Sequence, residues 1–124
     1  MIKKMVSALA WGLGVFGFYA AYAHGDAEPK RGGVVQSASD MTFELVPQAD
    51  GAAIYIEDHG KPLPAAGAGG KLTVLNGTEK AEAELKPAGD KLEAKGVKLS
   101  SGSKAVASVT TADKKTITVR FAMK

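Results

Sequence analysis

The sequence has 124 residues, with 16 Lys and Arg, 13 Asp and Glu, two His and no Cys. This length suits one domain with one core, and the missing cysteines exclude disulfides and thiol chemistry. The near balance of positive and negative side chains argues against nucleic-acid binding, which depends on clustered Lys and Arg.

Residues 1–23 have the pattern of a cleaved signal peptide. Lys3-Lys4 provides the positive start, residues 5–19 form an apolar run, and Ala21-Tyr22-Ala23 offers the small residues that signal peptidase recognises. The apolar run is short for a membrane-spanning helix and contains three glycines, which favours cleavage over a retained anchor. We therefore expect an exported, periplasmic protein that begins at His24. Its net charge would be +1, because two of the 16 basic residues leave with the signal peptide.

The next ten residues, 24–33, lack a periodic apolar pattern and contain Pro and Gly, so we predict a flexible N-terminal arm ahead of a domain at residues 34–124. Short segments of alternating apolar and polar residues follow. The clearest of them are residues 41–48, 52–58, 70–77, 78–87, 91–95, 103–111 and 115–124. Seven or eight short strands, separated by turns about every 8–12 residues, predict an all-β antiparallel sandwich or barrel.

Two of these segments define the expected core faces, because alternate residues of a strand point to the same side. Met41, Phe43 and Leu45 share one face of the first strand. Ile117, Val119, Phe121 and Met123 share one face of the last. Both sets are predicted to point inward, which would make the methionines core residues rather than copper ligands.

The segment at residues 79–86 has a competing interpretation as a helix, since Ala, Glu, Leu and Lys are good helix formers. Its strict alternation favours a strand. The preceding Asn76-Gly77 pair supports a hairpin, because both central positions of a type I′ turn require positive φ.

Catalytic signatures are missing from the sequence. It contains no cysteine, no Gly-x-Ser-x-Gly motif and no His-Glu-x-x-His motif, and most carboxylates alternate onto predicted solvent faces. We therefore predict that the protein is not an enzyme.

The two histidines suggest a metal site instead. Cleavage after Ala23 would leave His24 as the first residue, whose free amine and imidazole Nδ1 can chelate one ion. A second imidazole from His59 would complete a three-nitrogen set that suits Cu(II), with Zn(II) less favoured. Asp58 could supply an oxygen ligand or orient the His59 ring, and Asp26 is a further donor on the arm. The competing interpretation of His59 is a solvated turn residue in Asp-His-Gly-Lys-Pro.

The sequence resembles a set of small exported bacterial proteins that accompany heavy-metal efflux systems of the resistance-nodulation-division type. The resemblance rests on short motifs spread over the predicted domain, namely GGVV at residues 32–35, FELV at 43–46, IYIEDHGKP at 54–62, GKLTVL at 70–75 and VRF at 119–121. Similar sequence occurs in the N-terminal region of some periplasmic adaptor subunits of those pumps. The resemblance implies an immunoglobulin-like β-sandwich and a role in periplasmic metal handling.

A looser resemblance links the sequence to CopC-type copper carriers, small exported β-sandwiches whose mature chain begins with His. His24 matches that first residue by position. In that family the partner Asp and His are two residues apart near the far end of the domain, whereas here Asp58 and His59 are adjacent and central. Only His24 is therefore carried over from this resemblance.

These observations predict a periplasmic accessory of heavy-metal efflux that binds or delivers a transition metal, most favourably copper. Its expected partner is an efflux adaptor or pump component, with no nucleic acid and no membrane contact after cleavage. The alternative is a protein-interaction module that docks on an efflux adaptor without metal, through edge strands and exposed apolar residues such as Val46 and Tyr55.

Overall fold

The computed structural model describes residues 28–124, which fold into nine β-strands and no helix. The strands are β1 (Val34–Ala38), β2 (Met41–Gln48), β3 (Gly51–Asp58), β4 (Lys61–Pro62), β5 (Gly69–Asn76), β6 (Glu79–Ala88), β7 (Lys91–Lys95), β8 (Lys104–Thr110) and β9 (Thr116–Ala122). The predicted all-β fold is confirmed. β1 and the two-residue β4 were not expected, and they raise the number of strands from seven or eight to nine.

The predicted signal peptide, residues 1–23, lies outside the described residues, as do residues 24–27 of the predicted arm. Within the described part of the chain, no helix is long and apolar enough to cross a membrane.

The strands form a nearly closed antiparallel sheet in the order β9-β8-β5-β6-β7-β3-β2-β1, with β4 paired to β3. The long strand β6 joins the two halves of this order, because residues 79–85 pair with β5 and residues 86–88 pair with β7. β1 and β9, at the two ends of the order, lie against each other without a hydrogen-bonded ladder. The sheet thus wraps around one core.

The core faces follow the predicted alternation. Phe43 and Leu45 of β2 are fully buried, and β9 alternates exposed and buried residues from end to end. In β6 the strand interpretation is correct and the helix interpretation is wrong. Pairing with β5 and β7 provides hydrogen-bond partners for the backbone N–H and C=O groups of β6. In a helix, these groups would instead bond to one another within the segment.

The hairpin predicted at Asn76-Gly77 is present, but its turn is shifted by one residue. Asn76 pairs with Glu79, so Gly77 and Thr78 are the central residues. Of these two, only Gly77 has a positive φ, 64°, which is the pattern of a type II′ turn rather than type I′. The Asn76 side chain is used elsewhere, since it donates to the carbonyl of Lys98 and accepts from the hydroxyl of Ser103.

Candidate functional site

The predicted donor pair Asp58-His59 lies in the hairpin between β3 and β4. Asp58 pairs with Lys61, which leaves His59 and Gly60 as the two central residues of the turn. Their φ angles, 54° and 83°, are both positive, as a type I′ turn requires. The sheet therefore holds the imidazole at the tip of a tight turn rather than on a long loop.

The carboxylate of Asp58 lies directly beside the His59 ring. Nδ1 of His59 is 2.6 Å from Oδ1 of Asp58, and the two side chains are 80% and 46% exposed. A carboxylate at Nδ1 favours the proton on that nitrogen and leaves the lone pair on Nε2, the arrangement common among metal-binding histidines. The pair therefore presents one accessible, oriented imidazole nitrogen to solvent.

Glu44 of β2 holds the segment that precedes β1. Its carboxylate accepts hydrogen bonds from the backbone N–H groups of Lys30, Arg31 and Gly33, at 3.1, 2.9 and 2.9 Å. The Arg31 guanidinium lies 3.7 Å from the same carboxylate. Burial raises the pKa of Glu44, but the three backbone donors and the Arg31 charge outweigh it, so the pKa is lowered from its ordinary value.

Side chains of the same segment also contact β3. The Arg31 guanidinium stacks 3.9 Å from the centre of the Tyr55 ring, and Nζ of Lys30 is 2.8 Å from Oε2 of Glu57. A cation over an aromatic face adds attraction to the contact, whereas the ion pair of an exposed lysine adds little. Glu57 is the residue immediately before Asp58. The segment therefore lies across β2 and β3 next to the histidine turn.

A groove lies between the segment before β1 and that turn. Glu28 and Pro29 line a groove of about 530 Å³ that Gly60 also lines. The approach of His24 to this turn stays a prediction, because residues 24–27 lie outside the described residues.

Of the four predicted metal donors, Asp58 and His59 lie together, whereas His24 and Asp26 lie outside the described residues. Across residues 28–124, no group of three or more His, Asp or Glu side chains is arranged to hold a metal ion. The structure therefore brings together two of the four predicted donors, and metal binding by them, like the contribution of His24 and Asp26, stays a prediction.

Sequence reasoning placed Glu44 on a solvent face with the other carboxylates, but this residue is only 5% exposed. The Glu44 side chain does point outward from β2, as predicted, but residues 30–33 cover it on that side of the strand. The sequence feature that could have indicated the burial of Glu44 is the glycine pair Gly32-Gly33, which follows two basic residues. Gly33 lacks the Cβ that would lie 2.2 Å from the carbonyl oxygen of Leu45, and this lets the segment lie close to β2.

The apolar residues expected on a docking surface are partly covered. Val46 and Tyr55 are both half-buried, and Arg31 lies over the Tyr55 ring. Among the described residues, the large apolar side chain with high exposure is Leu75 of β5, at 38%.

Comparison of the chain with protein-family models, with curated proteins and with solved structures found no match.

Proposed function

We propose that this protein is a periplasmic metal-handling accessory of heavy-metal efflux that binds a transition metal reversibly, with copper as the favoured ion. The observation that carries the proposal is the Asp58-His59 pair at the tip of a type I′ turn, where the Asp58 carboxylate lies 2.6 Å from Nδ1 of an imidazole that is 80% exposed. The pair supplies an oriented imidazole, and the amine and imidazole of His24 would supply the nitrogen donors that the pair lacks.

In the proposed complex, the free amine and the imidazole of His24 bind the ion together, and Nε2 of His59 supplies the third nitrogen. Asp58 holds the His59 ring, and Asp26 offers an oxygen on the arm. Three nitrogen donors suit Cu(II), and the order of divalent metal affinities places Zn(II) below it.

The exposure of His59 supports hand-over rather than storage. An imidazole that is 80% exposed can be approached by a donor from another protein while the ion is still bound. Release then proceeds by ligand exchange, with no covalent step. Glu44 contributes indirectly, because its hydrogen bonds to residues 30–33 hold the base of the arm beside the turn.

The proposal predicts how Cu(II) affinity depends on two parts of the site, the free amine of His24 and the imidazole of His59. Protein beginning at His24 should bind one Cu(II) ion, and one extra residue before His24 should weaken binding by about a hundredfold, because it removes the free amine from the chelate ring. Isothermal titration against a competing chelator measures both affinities. The variant His59→Asn tests the other part of the site, since Asn also tolerates the positive φ of this turn and removes only the imidazole. It should weaken binding by at least about tenfold, because even the loss of a residue that only orients a ligand costs about 10–100-fold.

The same titration separates metal handling from the alternative, a metal-free module that docks on an efflux adaptor. A protein that gains no thermal stability from either Cu(II) or Zn(II) would favour the docking role, because a ligand of the folded state must stabilise it. Equal Cu(II) affinities in the free and extended forms would exclude the amine-based site.

A further inference from the structure

We propose that a second groove, at the end of the sheet beside the histidine turn, binds a small organic cation with an apolar body. The groove has a volume of about 510 Å³. It lies between the β1–β2 turn, the β3–β4 turn, the loop after β4 and the β8–β9 connection. This volume falls within the range of about 300–1,000 Å³ that is typical of small-molecule sites.

The floor of this groove is apolar. Met41 and Ile56 lie at its base with less than a tenth of their surface exposed, and the half-buried Leu63 and Ala68 form one side. A backbone hydrogen bond from Leu63 to Ile56 at 2.8 Å holds that side against β3. Aliphatic side chains and a flexible thioether can accept a hydrocarbon body of varied shape.

The rim of the groove is acidic. Among the described residues that line it are three carboxylates, of Asp40, Asp58 and Asp113, one ammonium, of Lys115, and the imidazole of His59. Asp40 is held at the rim by a two-residue turn in which it and Ser39 both have positive φ. The Thr111 hydroxyl donates to Asp113 and lowers the pKa of that carboxyl, so this charge persists at neutral pH.

Charge complementarity selects the ligand class. An apolar floor under a carboxylate rim suits a molecule whose hydrocarbon part enters the groove while its ammonium or guanidinium group meets the rim. An anion of the same shape would face net negative charge, and a bare metal ion would gain nothing from the apolar floor.

The groove shares Asp58 and His59 with the proposed metal site, but the two rim charges tested here, at Asp40 and Asp113, are not among the predicted metal donors, so the two proposals can fail separately. The test is a titration of the protein, as isolated from its host, with octyltrimethylammonium below its micelle concentration. Binding is followed by NMR shifts of backbone amides. Controls are 1-octanol for the tail alone, tetramethylammonium for the head alone, and octyl sulfate for the opposite charge.

The expected result is saturable binding of octyltrimethylammonium, with shifts at Met41, Leu63 and Ala68, at least tenfold tighter than that of any control compound. Replacing both Asp40 and Asp113 by Asn should weaken it by about fivefold, because each exposed charge contributes modestly. The matched variant Asp90→Asn, at the exposed β6–β7 turn, should leave it unchanged.

The proposal is overturned if octyltrimethylammonium gives no saturable shifts at the groove. Equal affinity for 1-octanol would also overturn it, because charge would then play no part. So would unchanged binding in the protein with both rim residues replaced.

Discussion

Replacing Gly70 by Ala is expected to destabilise the protein more than any other single methyl addition in the strands. Gly70 lies in β5 between Val109 of β8 and Leu85 of β6, with a φ of 148°. A Cβ at this position would lie 1.9 Å from the backbone oxygen of Ser108, so two hydrogen-bonded strands would have to separate. Backbone strain of about 1–3 kcal/mol and overpacking of about 1–3 kcal/mol together predict a loss of about 2–6 kcal/mol.

The neighbouring glycine provides the control for this prediction. At Gly69 the nearest atom to an added Cβ is the carbonyl oxygen of Leu85 at 3.5 Å, an ordinary contact, and φ is not positive. Gly69→Ala should therefore change the free energy of unfolding by less than about 1 kcal/mol. Urea unfolding of both variants, followed by circular dichroism, measures the difference. Similar stabilities for the two variants would show that β5 and β8 do not approach as closely as described.

Replacing Glu44 by Ala is expected to lower the free energy of unfolding by about 2–4 kcal/mol. The carboxylate accepts three backbone hydrogen bonds and is only 5% exposed. Hydrogen bonds to a charged group each contribute about 1.5–3 kcal/mol, and part of this is recovered when water solvates the released N–H groups. The same variant should release residues 30–33 from β2, which hydrogen exchange of their amides would detect.

Glu84 is the matched control, because it is an exposed glutamate on β6. Glu84→Ala should change stability by less than about 0.5 kcal/mol. If Glu44→Ala were equally mild, the carboxylate would not be what holds the segment before β1.

The Glu44 contact also makes the stability of the protein depend on pH. Because the folded-state pKa of Glu44 is below its ordinary value of 4.5, the unfolded chain takes up the proton first as the pH falls. The stabilising contribution is complete above about pH 4.5 and disappears as the pH falls through the lower, folded-state pKa. Unfolding curves from pH 7 to pH 2 should show a steeper acid loss in the native protein than in Glu44→Gln.

The difference between those two proteins isolates Glu44 from other groups. Asp113 has a pKa that the Thr111 hydroxyl lowers, and it titrates in the same acid range in both proteins. Identical acid profiles of the native protein and Glu44→Gln would contradict the assignment of this contribution to Glu44.

Strand content and core faces could be predicted because they depend on neighbours along the chain. Phe43 and Leu45 alternate with polar residues, and a strand places alternate side chains on one face whatever it pairs with. In β6 the same alternation outweighed the helix propensity of Ala, Glu and Lys. The neighbouring strands on either side stabilise an extended strand through pairing and side-chain packing.

Local pattern was less reliable for the turns. An Asn-Gly pair predicts a hairpin, but the register of the flanking strands decides which two residues are central. In this protein Gly77 and Thr78 are the central residues, and Asn76 pairs with Glu79 in the strand ladder. Its side chain accepts a hydrogen bond from the Ser103 hydroxyl. Two other turns have two positive φ angles, Ser39-Asp40 and His59-Gly60, and in the second His occupies a position usually given to Asn or Gly.

The amino-acid sequence alone determined that this protein is built of strands, which side chains form its core, and that Asp58 and His59 stand next to each other. Only the tertiary structure decided the strand order, the burial of Glu44 under Lys30–Gly33 and the grooves on both sides of the histidine turn. The physical reason is the separation along the sequence of the residues that interact. Alternation records which way each side chain faces, whereas a contact such as Gly33 to Glu44, eleven residues apart, exists only after β1 and β2 have paired.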